Sequence, residues 1–255
     1  MTQKSNRKLY YSFVERDGYT GDAPDFFDPE DFEWSRKLEQ NWKEIRSELE
    51  CFLAEGKELW PYFDQGIVSK KNSWKTIPFA AWGVHFRKNQ RSAPKTMELL
   101  NSIPGMVSAS FNLLEKQSDI VPHFGDTDGI FRCHLGIVIP GELPEVGFKV
   151  NEKSKSWEEG KLLMFCDAHL HTAWNHSDSN RFILLFDVIR PEFLHRKRTI
   201  CSKVLASLYL QSLAAKLPFL KKLPIIVQFL IYKLAITSAR IAVPIRNFFS
   251  KIFVS

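Results

Sequence analysis

The chain has 255 residues, 44% of them hydrophobic and 13% aromatic, enough for one sizeable core or a domain with an appendage. Its net charge of +6 is local: from Phe193 onward there are eleven Lys/Arg and no Asp/Glu, which leaves the first 192 residues at −5. That asymmetry argues against a nucleic-acid-binding surface over the whole chain, and four scattered cysteines without a CxxC pair argue against a zinc ribbon or a disulfide framework.

Residues 1–23 are polar and predicted to be irregular. The start, MTQKSNRKLYYSFVERDG, lacks the apolar stretch of a signal peptide, so a reducing, cytosol-facing location is expected. Asp28 and Pro29 then open a helix. Leu38, Trp42, Ile45, Leu49 and Phe52 recur at spacings of four and three, which predicts one apolar stripe on one long helix. Residues 60–92 read as short strands and loops, and APKTMELLNSI as a short helix.

From Val107 the pattern changes to short β-prone runs: VSASFNLLE, GIFRCHLGIVIP, VGFKV, KLLMFCD, HTAWN and RFILLFDVIRP. Turn residues separate them, and the spacing predicts an all-β barrel or jelly roll. Within one strand Arg132 and His134 share a face, with Phe131, Cys133 and Leu135 on the other. A basic and an imidazole side chain on one face of an apolar strand need partners.

After Pro191 the chain is rich in leucine, isoleucine and phenylalanine and is cut by Pro218, Pro224 and Pro244. Basic, apolar and free of acids, residues 193–255 read as helices lying in a membrane interface; the competing reading packs them on the β-domain or in a dimer.

Chemistry concentrates in two stretches, HFGDTDGIFRCHLGIVIP from His123 and HTAWNHSDSNR from His171. A metal-binding imidazole must be neutral and held in one orientation, and strand ends in a rigid barrel supply that. On spacing alone, two histidines so far apart are a weak signal, and a lone buried histidine is more often structural than a ligand. Arg181 is equally readable as a salt bridge or backbone clamp, and Arg132 as the partner of an acid such as Asp187.

Taken jointly the two stretches resemble the aspartyl/asparaginyl β-hydroxylase family. The matching pattern is His123-x-Gly125, then Arg132-x-His134-Leu135, then WEEGK at Trp157–Lys161, then His171 and Arg181 ten apart. LEQNWKEIRSE and APKTMELL also look like family segments, and the resemblance covers roughly residues 24–192. It implies a mainly β (α+β) fold: a double-stranded β-helix, jelly-roll or cupin-like, with flanking helices and here a C-terminal helical tail. It also implies a dioxygenase that uses Fe(II), 2-oxoglutarate and O2 to hydroxylate an unactivated carbon.

Such members are expected to bind iron through two histidines without a carboxylate, which accounts for Gly125 where many iron oxygenases carry an acid. His123 and His171 are the implied iron ligands. Asp126 is a nearby rival acid; His169 is a rival imidazole, but the ten-residue gap to Arg181 selects His171. Arg181 matches the position that grips the distal carboxylate of 2-oxoglutarate, as a guanidinium fork suits a planar carboxylate. His134 and Arg132 match positions that help hold the co-substrate, Asn112 falls where relatives carry a serine with that duty, and Trp82 is expected to line the substrate side.

The family acts on protein Asp/Asn side chains or on lipid A acyl chains. The tail favours an acyl chain at the cytoplasmic face of a membrane, with peptidyl Asp/Asn hydroxylation as the alternative. A non-catalytic, membrane-tethered jelly-roll binding module is the reading from another class. The expected division is an irregular segment 1–23, a catalytic domain 24–192 and a basic amphipathic tail 193–255, with no nucleic-acid partner.

Overall fold

The computed structural model describes residues 4–253. In chain order the elements are β1 (Phe26–Phe27), α1 (Glu33–Gln40), α2 (Trp42–Ala54), β2 (Trp60–Pro61), β3 (Trp74–Ala81), β4 (Val84–His85), α3 (Arg87–Arg91) and α4 (Pro94–Asn101). Then come β5 (Met106–Leu114), β6 (Ser118–Phe124), β7 (Ile130–Val138), β8 (Val146–Val150), β9 (Lys153–Lys155), β10 (Leu162–Phe165), β11 (Leu170–Asn175) and β12 (Arg181–Ile189). Helices α5 (Lys197–Lys216) and α6 (Ile225–Phe253) close the chain.

The strands form two antiparallel sheets. The larger runs β1-β10-β7-β12-β5-β3-β2, with β4 paired to β3; the smaller runs β6-β11-β8-β9. This is the expected jelly roll with flanking helices. One core lies between the sheets and includes Trp74, Leu114, Phe148, Trp157, Phe165 and Ile183. A second lies on the outer face of the large sheet, where Leu38, Ile45, Leu49 and Phe52 meet Phe131, Cys133 and Leu135. The alternation read on β7 therefore holds: its apolar residues face the helices, and Arg132 and His134 face the other sheet.

Two local expectations are corrected. The long helix is broken at Asn41, whose backbone leaves helical geometry and whose Nδ2 donates to the Lys37 carbonyl at 2.8 Å. An asparagine amide competes with the helix ladder in this way, so the apolar stripe continues across a kink between α1 and α2. The tail is not cut at Pro244, which lies inside α6. A proline there leaves the carbonyl four residues back without its donor. That carbonyl, Arg240 O, accepts instead from Arg198 Nη2 of α5 at 3.3 Å.

Residues 4–25 carry little regular structure, yet several of them are packed. Leu9 and Tyr11 join Ile130, Ile189, Phe193, Ile200 and Val204 in a core that ties α5 to the sheet.

Candidate active site

The two sequence motifs meet at one end of the small sheet. His123 on β6 and His171 on β11 are direct cross-strand partners, with ring centroids 4.2 Å apart. Pro122 precedes His123 inside the strand, which β6 tolerates because it is an edge strand. His123 Nδ1 lies 2.9 Å from the Val121 carbonyl, and His171 Nδ1 lies 2.8 Å from the His169 carbonyl. A carbonyl only accepts, so each Nδ1 carries the proton and each Nε2 keeps its lone pair. Burial holds both imidazoles neutral: it depresses His123, and it depresses His171 further, with the neighbouring His123 adding to the effect. Two neutral rings, fixed in one tautomer, present two lone pairs side by side.

An acid that the sequence reading missed completes the surroundings. Asp167, in the turn between β10 and β11, is fully buried, and its Oδ1 lies 3.7 Å from His171 Nε2. Its Oδ2 accepts from the Asp126 backbone N–H at 3.1 Å, and Arg132 Nη1 pairs with its Oδ1. A side chain at position 125 would project into this carboxylate, so the glycine there makes room for Asp167. Desolvation, offset by Arg132, pushes the Asp167 carboxyl up to about 6. Asp126, the rival acid, turns to Ser12 Oγ at 3.2 Å. Among the described residues no three His, Cys, Asp or Glu side chains gather as a metal-holding group.

Arg132 lines the slot with its guanidinium engaged by two carboxylates. It faces Asp187 directly across β7 and β12, and its Nε and Nη2 donate to that carboxylate at 2.8 and 3.2 Å. With Nη1 on Asp167, its charge is balanced twice over, which leaves it a brace behind the histidines.

Arg181 is the opposite case. It is 1% exposed, stacks its guanidinium 4.5 Å from the Trp157 ring centre, and has neither an ion pair nor a hydrogen bond among the described residues. Desolvation alone drags it down to about 9. His134 stands in the same cavity. Trp157 Nε1 donates to its Nδ1 at 3.3 Å, so the neutral ring carries its proton on Nε2, a buried donor with no partner. Burial, followed by Arg181 and Arg132, keeps that ring neutral.

Strand parity explains the gathering: β12 turns Arg181, Ile183 and Leu185 inward beside Asn112 of β5 and His134 of β7. Asn112 lines the cavity, but its amide is spent: Oδ1 accepts from Trp74 Nε1 at 2.9 Å, and Nδ2 donates to the Ser110 carbonyl and hydroxyl at 3.1 and 2.8 Å. Trp82 is not part of the cavity. It is buried against Tyr11, Val107 and Val204 at the α5 side, because the β3–β4 turn swings it away from the space between the sheets. The tryptophans at the cavity are Trp74, which lines it, and Trp157, which holds His134 and Arg181 from behind. The cavity is a slot of about 30 Å³, so a guest larger than a few atoms enters only as lining side chains turn aside.

The family model for aspartyl/asparaginyl β-hydroxylase matches residues 39–191, which include every residue of this constellation. The chain belongs to the aspartyl/asparaginyl β-hydroxylase family. It is 34% identical over 173 residues to the ornithine lipid ester-linked acyl 2-hydroxylase of Rhizobium tropici, covering 66% of this chain and 61% of that protein. It is 32% identical over 170 residues to the human aspartyl/asparaginyl β-hydroxylase, covering 64% of this chain and 22% of that protein. The match thus spans less than two thirds of either relative. A solved prolyl-4-hydroxylase from Pseudomonas putida aligns with a TM-score of 0.39 at 16% identity, over 58% of this chain and 87% of that one. For a family of hydroxylases, the buried imidazole pair and unpaired guanidinium are the chemically distinctive part of the β-hydroxylase unit in this chain.

Proposed function

We propose that this chain is an Fe(II)- and 2-oxoglutarate-dependent dioxygenase that hydroxylates an acyl chain of a membrane lipid. The observation that carries the reading is Arg181. A fully buried guanidinium without a carboxylate is costly unless a bound anion repays it. The neighbouring His134 Nε2–H and the paired histidines support reading that anion as a carboxylate beside a metal. His123 and His171 would hold iron through Nε2, and Arg181 and His134 would hold 2-oxoglutarate. Bound there, iron and 2-oxoglutarate would supply the oxidising chemistry needed to hydroxylate a C–H bond with O2.

The chain's own residues do the rest. The backbone carbonyls of Val121 and His169 fix the imidazole tautomers. Arg132 keeps Asp167 in place behind His171, where its carboxylate is positioned to accept a hydrogen bond from a water at the site. Phe148 and Phe165 wall the slot from bulk water.

Lipid is favoured over protein by the likeness to the Rhizobium tropici ornithine lipid ester-linked acyl 2-hydroxylase and by α6. That helix is long and apolar enough to cross a membrane, yet almost none of it is buried. Ile226, Leu230, Leu234, Ile241, Ile245, Phe248 and Ile252 are all exposed and fall on one face. Arg246 and Asn247 tie α6 to His85 and Gly83, so the helix lies along the protein and offers its apolar face sideways to a bilayer. The four cysteines are free thiols, which suits the reducing cytoplasmic face.

The test is mass spectrometry of host membranes incubated with the protein, Fe(II) and 2-oxoglutarate, beside a His171→Ala control. One added oxygen in the lipid fraction is expected. One added oxygen on Asp or Asn of a peptide would replace the lipid reading with the protein one. No oxygen in either, with no His171-dependent succinate, would leave a membrane-tethered binding module.

A further inference from the structure

A groove of about 350 Å³ lies between the N-terminal half of α5, the middle of α6 and the turn at Trp82–Gly83. It shares no lining residue with the histidine slot. Three cations line it, Lys197, Arg198 and Arg240, and no carboxylate does. The chain has no acid after Glu192, and among the described residues no cation beyond Arg190 enters an ion pair.

The donors of these cations are only partly used. Lys197 Nζ donates to the Met106 carbonyl at 3.0 Å, and Arg198 Nη2 to the Arg240 carbonyl at 3.3 Å. Arg240 reaches Ser202 Oγ at 3.3 Å and Thr199 Oγ1 at 3.4 Å. An ammonium has three N–H donors and a guanidinium five, so each cation retains donors for a guest. Like charges gathered without a counter-charge repel one another, and a bound anion relieves that. Lys203 nearby shows the crowding: burial, then Arg196 and Arg240, lower its ammonium.

The remainder of the groove is apolar, with Trp82, Leu205 and Val243 among its walls. Arg240 and Pro244 stand next in sequence to Ile241 and Ile245 of the exposed face, so the groove borders the surface read above as membrane-facing. Three cationic side chains lining one groove beside apolar walls suit a tetrahedral oxyanion attached to a greasy body.

We propose that this groove binds the phosphate of an anionic membrane lipid, separately from the catalytic slot. The proposal rests on the membrane reading of α6 and makes the contact lipid-selective.

The test is flotation of the full chain with vesicles of phosphatidylcholine alone and of phosphatidylcholine doped with phosphatidylglycerol. The groove variants are Lys197→Gln, Arg198→Gln and Arg240→Gln, in which the amide keeps a donor for the neighbouring oxygen while the charge is lost. Lys221→Gln with Lys222→Gln removes two exposed cations outside the groove, and Leu234→Ser with Phe248→Ser weakens the apolar face. Each groove variant is expected to lose more than the about fivefold that any one basic residue is worth at an anionic surface, and more per charge than the Lys221/Lys222 variant, for the doped vesicles, and little for the plain ones. Equal losses per charge in the groove and at Lys221/Lys222 would overturn the site and leave only diffuse attraction. Displacement from doped vesicles by millimolar inorganic phosphate at constant ionic strength would overturn the lipid as ligand in favour of a free anion. Retention of wild-type flotation by the Leu234/Phe248 variant would instead overturn the membrane reading itself.

Discussion

Gly125 and Asp167 occupy one space between them: a Cβ on residue 125 would overlap the carboxylate of residue 167, which Arg132 and the Asp126 amide hold in place. The carboxylate beside the imidazole pair thus comes from the β10–β11 turn, and the position just past β6 that could have supplied one is a glycine that leaves room for it.

Gly125→Ala should therefore destabilise the protein by about 1–3 kcal/mol, as overpacking does. At this chain length that is a fall of several degrees in Tm, about 2–4 °C per kcal/mol. Asp167→Gly, which strips Arg132 and the Asp126 amide of a partner, should cost less in the Gly125→Ala background than in the wild type, because the side-chain part of the clash goes with it while the contact with the residue 167 carbonyl stays. Thermal melts of the two singles and the double measure this coupling; simple additivity would show that the two positions do not compete.

Arg181→Met should leave Tm unchanged or raise it, because a buried charge without a partner contributes nothing to folding. The same variant should raise the apparent KM for 2-oxoglutarate by about a hundredfold or more, the scale of a charge-assisted bidentate pair. Arg181→Lys should recover only part of this, since an ammonium cannot fork. Succinate release against co-substrate concentration, beside the melts, separates the two effects.

Stability should vary little between pH 7.5 and 5.5. His123, His134 and His171 are depressed, so the unfolded chain takes up protons first as pH falls below 6.5, and stability falls. Asp126 and Asp167 are raised, chiefly by desolvation, to about 7 and about 6. There the folded chain takes up protons first, so stability rises over the same window. Asp126→Asn removes one opposing contribution and should make the protein visibly acid-labile; melts at pH 7.5, 6.5 and 5.5 for both proteins check it.

Pro244→Ala should restore the helix bond to the Arg240 carbonyl and make Arg198 dispensable as its donor. Arg198→Ala should then cost less in the Pro244→Ala background than in the wild type. A double-mutant cycle on Tm, with amide exchange at residue 244 of the alanine variant, measures this.

The parts of the fold that follow local rules were legible in the sequence. Alternation on β7 placed Arg132 and His134 on the inner face, and two motifs fifty residues apart named the histidines that the register of β6 and β11 brings opposite each other. The parts that depend on neighbours were not. Asp167 lies in a turn, where no periodicity marks a residue as inward-facing, and its importance comes from the room left by Gly125. Arg132 reads equally as a co-substrate contact and as the partner of an acid such as Asp187, and only the register that sets the two opposite each other across the ladder shows the ion pair. Strand β6 hides behind Pro122, which in sequence argues against a strand and in the sheet is harmless because β6 is an edge strand, met on its far side by Val68 and Ser69 at Ile120 and Asp119. Asn41 and Pro244 mislead in opposite directions: one breaks a helix that the apolar pattern continues, and the other sits in a helix that a donor from α5 repairs.

The unequal seats of the two histidines carry a mechanical consequence. His171 is on an interior strand with neighbours on both sides, whereas His123 is on the rim. An ion gripped by both rings would be a rivet through the seam between rim and interior. With the rivet in, the β6 amides should exchange as slowly as those of β11; with it out, the sheet should unzip from that corner first, taking half of the binding site with it.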